Sequence, residues 1–144
     1  MVPPNAFTIL MVEDDEGHAT LVQMNLREAG IENPILHFNN GKAALEHVTR
    51  WQQQKRPSPL VLLLDLNLPE IDGYTILSAI KSAPQTRKIP VIVLTSTDDP
   101  HEITRCYELG CNLFLRKPVD YVSFTHAIKQ LGLFLAVVEI PALE

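Results

Sequence analysis

Five short, almost uninterrupted apolar runs recur along the chain: Thr8 to Val12, Ile35 to Phe38, Leu60 to Leu64, Val91 to Leu94 and Leu113 to Leu115. Strands that are apolar on both faces must be covered on both faces, and a helix between successive strands supplies that cover. The stretches between the runs carry helical spacing, so the pattern predicts an α/β fold: a doubly wound five-stranded parallel sheet with five helices. Leu21, Met24, Asn25 and Leu26 give a partly apolar face to a first helix over Gly17 to Ala29, stopped by Ala29-Gly30. Asn40 is placed to cap a second helix beginning near Gly41, with Ala44, Leu45 and Val48 on one side. A third helix starts near Gly73, buries Ile76, Leu77 and Ile80, and exits at Pro84. Pro100 suits the first turn of a fourth helix reaching about Leu109, with Gly110 as its C-terminal glycine. A fifth, roughly Tyr121 to Leu131, completes the alternation.

A chain of 144 residues holds one domain of this kind. Twelve Lys plus Arg stand against seventeen Asp plus Glu, a net charge of -5, and no basic run is available to track phosphates, so no nucleic-acid partner is expected. No apolar stretch approaches the roughly 20 residues that span a bilayer, and Met1 to Thr8 lacks the features of a secretory signal. Cys106 and Cys111 have neither metal-site nor disulfide-scaffold spacing and read as buried thiols. A cytoplasmic location, away from the membrane, follows as the expectation.

In an open doubly wound sheet, ligands bind beyond the carboxyl ends of the strands. Those ends read Glu13-Asp14-Asp15, Asp65-Leu66-Asn67, Thr95-Ser96 and Lys117-Pro118. Carboxylates gathered on one rim repel one another and call for a counter-charge. Oxygen-only ligands suit a hard octahedral ion such as Mg²⁺ rather than Zn²⁺, and none of the five histidines stands at these strand ends.

Four segments, Ile9 to Asp15, Leu62 to Gly73, Ile89 to Ser96 and Leu115 to Pro118, together resemble the receiver domain of two-component response regulators. The resemblance implies a flavodoxin-like sheet of strand order 2-1-3-4-5. It implies that Asp65 is the phospho-acceptor, that Asp14, Glu13, Asp65 and the backbone carbonyl of Asn67 hold Mg²⁺, and that Lys117 and Thr95 attend the phosphoryl group. Thr95 and Phe114 would form the switch pair, with Phe114 standing where many receivers have Tyr, and the Lys117-Pro118 peptide would be cis. The partner would be a sensor histidine kinase. The protein would then be no enzyme in the ordinary sense, since it would catalyse only its own phosphorylation and dephosphorylation.

The boundaries expected are an N-terminal arm over 1–7, a receiver domain over 8–132 and an apolar C-terminal extension over 133–144. The extension, Leu133-Phe-Leu-Ala-Val-Val138, would present apolar side chains on two sides, which favours a homodimer through the helix 4, strand 5 and C-terminal region. With the stretch from Cys111 to Asp120 it resembles the small response regulators that pair with cyanobacterial phytochrome kinases, implying a phytochrome-type partner. Two other functions stay open. One is a phosphorylation-independent adaptor on the same fold. The other is a phosphohydrolase of the haloacid-dehalogenase type, disfavoured because Asn67, two residues past Asp65, cannot act as a general acid.

Overall fold

A computed structural model describes residues 7–28, 32–55, 57 and 59–116. Five parallel strands, β1 (Thr8–Val12), β2 (Ile35–Phe38), β3 (Leu60–Asp65), β4 (Val91–Thr95) and β5 (Leu113–Arg116), form one sheet in the order β2-β1-β3-β4-β5. Four helices lie between them: α1 (Glu16–Glu28), α2 (Gly41–Gln52), α3 (Gly73–Ser82) and α4 (Pro100–Glu108). The expected fifth helix, the Ala29-Gly30 stop and the C-terminal extension lie outside the described residues. No helix among the described residues is long and apolar enough to cross a membrane.

The two-residue period of a strand sorts its side chains into two cores. Ile9, Met11, Val61, Leu63, Ile92 and Leu94 pack with Ala19, Val22 and Leu26 of α1. Their alternates, Leu10, Val12, Leu62, Leu64, Val91 and Val93, pack with side chains of α2, α3 and Cys106 of α4. Burying one such side chain contributes about 1.5–3 kcal/mol, so the central strands anchor the fold. Phe7, immediately before β1, is also buried in the α1-side core.

The helix ends follow their sequence signals closely. The Asn40 side chain accepts from the Ala43 amide at 2.8 Å, and Asp72 and Asp99 cap α3 and α4 in the same manner. Gly110, at φ 104, ends α4 in a Schellman turn: Cys111 N donates to Cys106 O and Gly110 N to Tyr107 O, both at 3.0 Å. Cys106 and Cys111 are therefore buried within a helix stop, and burial pushes both thiols up, Cys111 to about 11. Trp51, in the last turn of α2, is buried in the core on that side of the sheet.

One expectation is corrected. Leu21 and Met24 do not face the core: they are 39% and 63% exposed, and the buried face of α1 is Ala19, Val22, Asn25 and Leu26. The helix is set by the small Ala19 and β-branched Val22 fitting against the sheet, while Asn25 is accommodated because its amide donates to Leu21 O at 2.9 Å.

Candidate functional site

Parallel pairing brings the carboxyl ends of the strands to one rim, with Val12 beside Leu64, Asp65 beside Leu94 and Thr95 beside Arg116. Glu13 prolongs the β1 ladder by donating its amide to Phe38 O at 3.0 Å. Carboxylate oxygens of Glu13, Asp14 and Asp65 then lie within 4.8 Å of one another, Glu13 and Asp65 buried at 3% and 4% exposure and Asp14 exposed.

Two buried charges at such a spacing repel by about 3 kcal/mol at an effective dielectric constant near 20. A hard cation relieves that repulsion, and three carboxylates with open room on the Asp14 side fit one. The donor set is all oxygen, as a site for Mg²⁺ or Mn²⁺ requires.

Local hydrogen bonds fix the acids. The Asn67 amide donates to Asp65 Oδ1 at 3.1 Å, so the turn leaving β3 orients the carboxylate. The Asp15 amide lies 3.4 Å from Glu13 Oε2. Asp15 itself caps α1, its Oδ1 accepting from the His18 amide at 3.0 Å, which gives the third acid of the Glu-Asp-Asp run a local role in the helix start. Two histidines also border the rim, His37 near the carboxyl end of β2 and His18 on α1. His37 Nε2 donates to the Glu13 carbonyl at 2.7 Å, and His18 Nδ1 stands 3.9 Å from Glu13 Oε1.

Thr95 is fully buried at the end of β4, its hydroxyl oxygen 3.5 Å from the Thr97 amide. Phe114 is half-buried on β5 against the α2–α4 core. Asn67 is exposed, just past Asp65. Lys117, Pro118 and the cis peptide expected between them lie outside the described residues.

Sequence reasoning passed over the backing of the site. A Cβ built on Gly73 would lie 2.6 Å from Asp65 O and 2.5 Å from Leu66 Cα, and the Gly73 amide donates to Leu66 O at 3.0 Å. Only a residue without a side chain can start α3 so close behind Asp65. The Asp72-Gly73 dipeptide at a helix start was the available signal. Upstream, Glu70 takes φ 66 in a tight turn closed by Ile71 N donating to Pro69 O at 2.8 Å.

Comparison with known proteins bears on this arrangement. The family model for the response regulator receiver domain matches residues 9–129. The response regulator Rcp1 of Synechocystis is 33% identical over 142 residues, 97% of this chain and 95% of Rcp1. Its Mn²⁺-bound crystal structure superposes with a TM-score of 0.80, covering 94% of this chain and 99% of that one. A receiver domain from Rhodospirillum rubrum is 45% identical, with a TM-score of 0.86 over 95% of this chain and 99% of its own. The phosphorylated cyanobacterial phytochrome response regulator RcpA is 27% identical, with a TM-score of 0.82 over 94% of this chain and 99% of its own.

Proposed function

Since the chain belongs to the response regulator receiver domain family, we propose that it is a response regulator whose Asp65 accepts a phosphoryl group from a sensor histidine kinase. The observation that carries this reading is the meeting of Glu13, Asp14 and Asp65 at one rim of the sheet. Similarity to Rcp1 and RcpA supports a phytochrome-type kinase as the donor. A cytoplasmic setting and signalling through protein contacts, rather than turnover of a substrate, accord with the same reading.

An oxygen of Asp65 attacks the phosphorus of a phosphohistidine; the new O–P bond forms as the N–P bond breaks, and the imidazole nitrogen leaves with the electron pair. Asn67 N holds Oδ1 and so sets the direction of the carboxylate. Asp14, Glu13 and Asp65, with the Asn67 carbonyl, would hold Mg²⁺, which supplies charge neutralisation for the phosphoryl oxygens when bound. Lys117 is the second cation of this scheme and Thr95 the hydroxyl that bonds the phosphoryl group, with Phe114 following Thr95 as the aromatic partner of the switch. The Lys117-Pro118 peptide is proposed to be cis.

The receiver domain is assigned to 8–132, after an arm over 1–7. The apolar extension over 133–144 is proposed to join helix 4 and strand 5 in a homodimer. Truncation after Gly132 followed by sedimentation is expected to yield a monomer; an unchanged assembly rejects that interface. For the acceptor itself, incubation with acetyl phosphate and Mg²⁺ should add one phosphoryl group by intact-mass measurement, lost in Asp65→Asn. Sustained phosphate release would instead indicate a phosphohydrolase, and no modification an adaptor.

A further inference from the structure

The peptide that joins Glu13 to Asp14 is held from β2. Glu13 N donates to Phe38 O at 3.0 Å, the rung that follows the last paired residues, Val12 and Phe38. In a regular parallel ladder the Glu13 carbonyl would next accept from the amide of residue 40. Asn40 instead leaves the sheet and caps α2, its side chain accepting from the Ala43 amide at 2.8 Å. The His37 imidazole takes over the missing rung, with Nε2 2.7 Å from Glu13 O. A carbonyl only accepts, so Nε2 carries the proton, and in the neutral ring Nδ1 is left as the acceptor.

This bond reaches the ion site through a planar group. A trans peptide fixes Glu13 C=O and Asp14 N in one plane, so a carbonyl held toward β2 also sets the direction in which Asp14 departs. Asp14 is the exposed acid of the three and lies past the end of β1, where the ladder no longer orders the chain. Its carboxylate therefore has the most freedom to lose when an ion is gripped. The support comes from packed sheet: strand alternation puts His37 on the same face as Ile35 and beside its register partner Met11, on the α1 side. Hydrogen bonds just outside a ligand set of this kind change metal affinity by about 10–100-fold.

We propose that His37 is a positioning residue of the ion site: its bond to the Glu13 carbonyl holds the Glu13–Asp14 peptide in the geometry that lets both carboxylates meet Asp65 on one divalent cation. The proposal rests on the acceptor reading above and deepens it. The imidazole is no ligand in this scheme; it acts through the backbone, by paying in advance part of the ordering that ion binding requires. The edge strand β2, which contributes no acid to the rim, thereby enters the site through a side chain.

The test is the dissociation constant for Mg²⁺, measured by calorimetry on the full chain at one fixed pH above the imidazole range. His37→Phe keeps a ring and removes the donor, and should weaken binding about tenfold. His37→Gln restores an N–H donor and should return the affinity to within about threefold of wild type. Ile35→Val, on the same strand and face, should lower Tm but leave the affinity unchanged, which separates positioning from general loss of stability. Should His37→Phe not fold, His37→Leu serves as the variant without a donor. Nitrogen chemical shifts of the ion-free wild type should show His37 as the Nε2–H tautomer. The Nδ1–H tautomer, unchanged affinity in the variant without a donor, no recovery in His37→Gln, or an equal loss in Ile35→Val each overturn the role of His37 and leave the acceptor reading standing. Absence of Mg²⁺ binding in the wild type overturns the ion site itself, and the role of His37 with it.

Discussion

Replacing Gly73 by alanine tests how tightly the architecture holds Asp65. The added methyl would meet Asp65 O at 2.6 Å and Leu66 Cα at 2.5 Å, about 1 Å inside van der Waals contact. Both obstacles are backbone, so no rotamer change relieves them; either α3 retreats or the end of β3 moves. Overpacking of this kind costs about 2–3 kcal/mol, which lowers Tm by roughly 6–10 °C for a chain of this size. A displacement of about 1 Å at a reacting carboxylate slows reaction by roughly a hundredfold, so acetyl phosphate modification of Asp65 should fall by that order. Gly41 is the control. A Cβ there meets the terminal Cδ1 of Ile76 at 2.5 Å, a side-chain end that can rotate away, and the backbone atom it approaches, Ile71 O, is at 3.2 Å. Gly41→Ala should therefore cost less stability and leave the modification rate within a few-fold of wild type. Melting and intact-mass time courses measure both quantities. Wild-type modification and an unshifted Tm in Gly73→Ala would refute the claim that a bare backbone contact positions the acceptor.

Three further outcomes are expected. Glu70→Gly should raise stability by about 1 kcal/mol, since φ 66 is strained for a residue with a Cβ, and urea titration should show a higher midpoint at unchanged slope. Folding raises the Cys111 thiol from 9.0 to about 11, so its stabilising effect is complete below pH 9 and is lost as pH rises toward 11; urea midpoints should fall across that window, less steeply in Cys111→Ala. Asp14→Ala should weaken Mg²⁺ binding at least tenfold in calorimetry with Tm nearly preserved, because this carboxylate is exposed while its two neighbours are buried; unchanged affinity would remove Asp14 from the ion site.

Strand positions and helix starts were legible in the sequence because they depend on neighbours along the chain. A strand covered on both sides must be apolar throughout, as Leu60 to Leu64 is, and a cap such as Asn40 or Asp72 bonds an amide three residues away. The acids at 13, 14 and 65 were legible for a related reason: parallel pairing leaves strand ends on a common rim. The orientation of α1 was not, since its spacing allows Leu21 and Met24 inward as readily as Ala19 and Val22, and the sheet surface made the choice. Nor could composition divide the three acids of Glu13-Asp14-Asp15 into two that face Asp65 and one that caps a helix.

The sequence by itself determined which residues form strands, where helices begin, and which chemical groups gather at the sheet's carboxyl edge. Only the tertiary structure decided that Gly73 lies against the backbone of Asp65, and that Arg105 of α4 lies over the ring of Tyr74 on α3. The physical reason is range. Periodicity and capping are short-range effects written in adjacent residues, whereas a backbone approach of 2.6 Å or a guanidinium over an aromatic ring exists only once packed layers fix distant segments in one place.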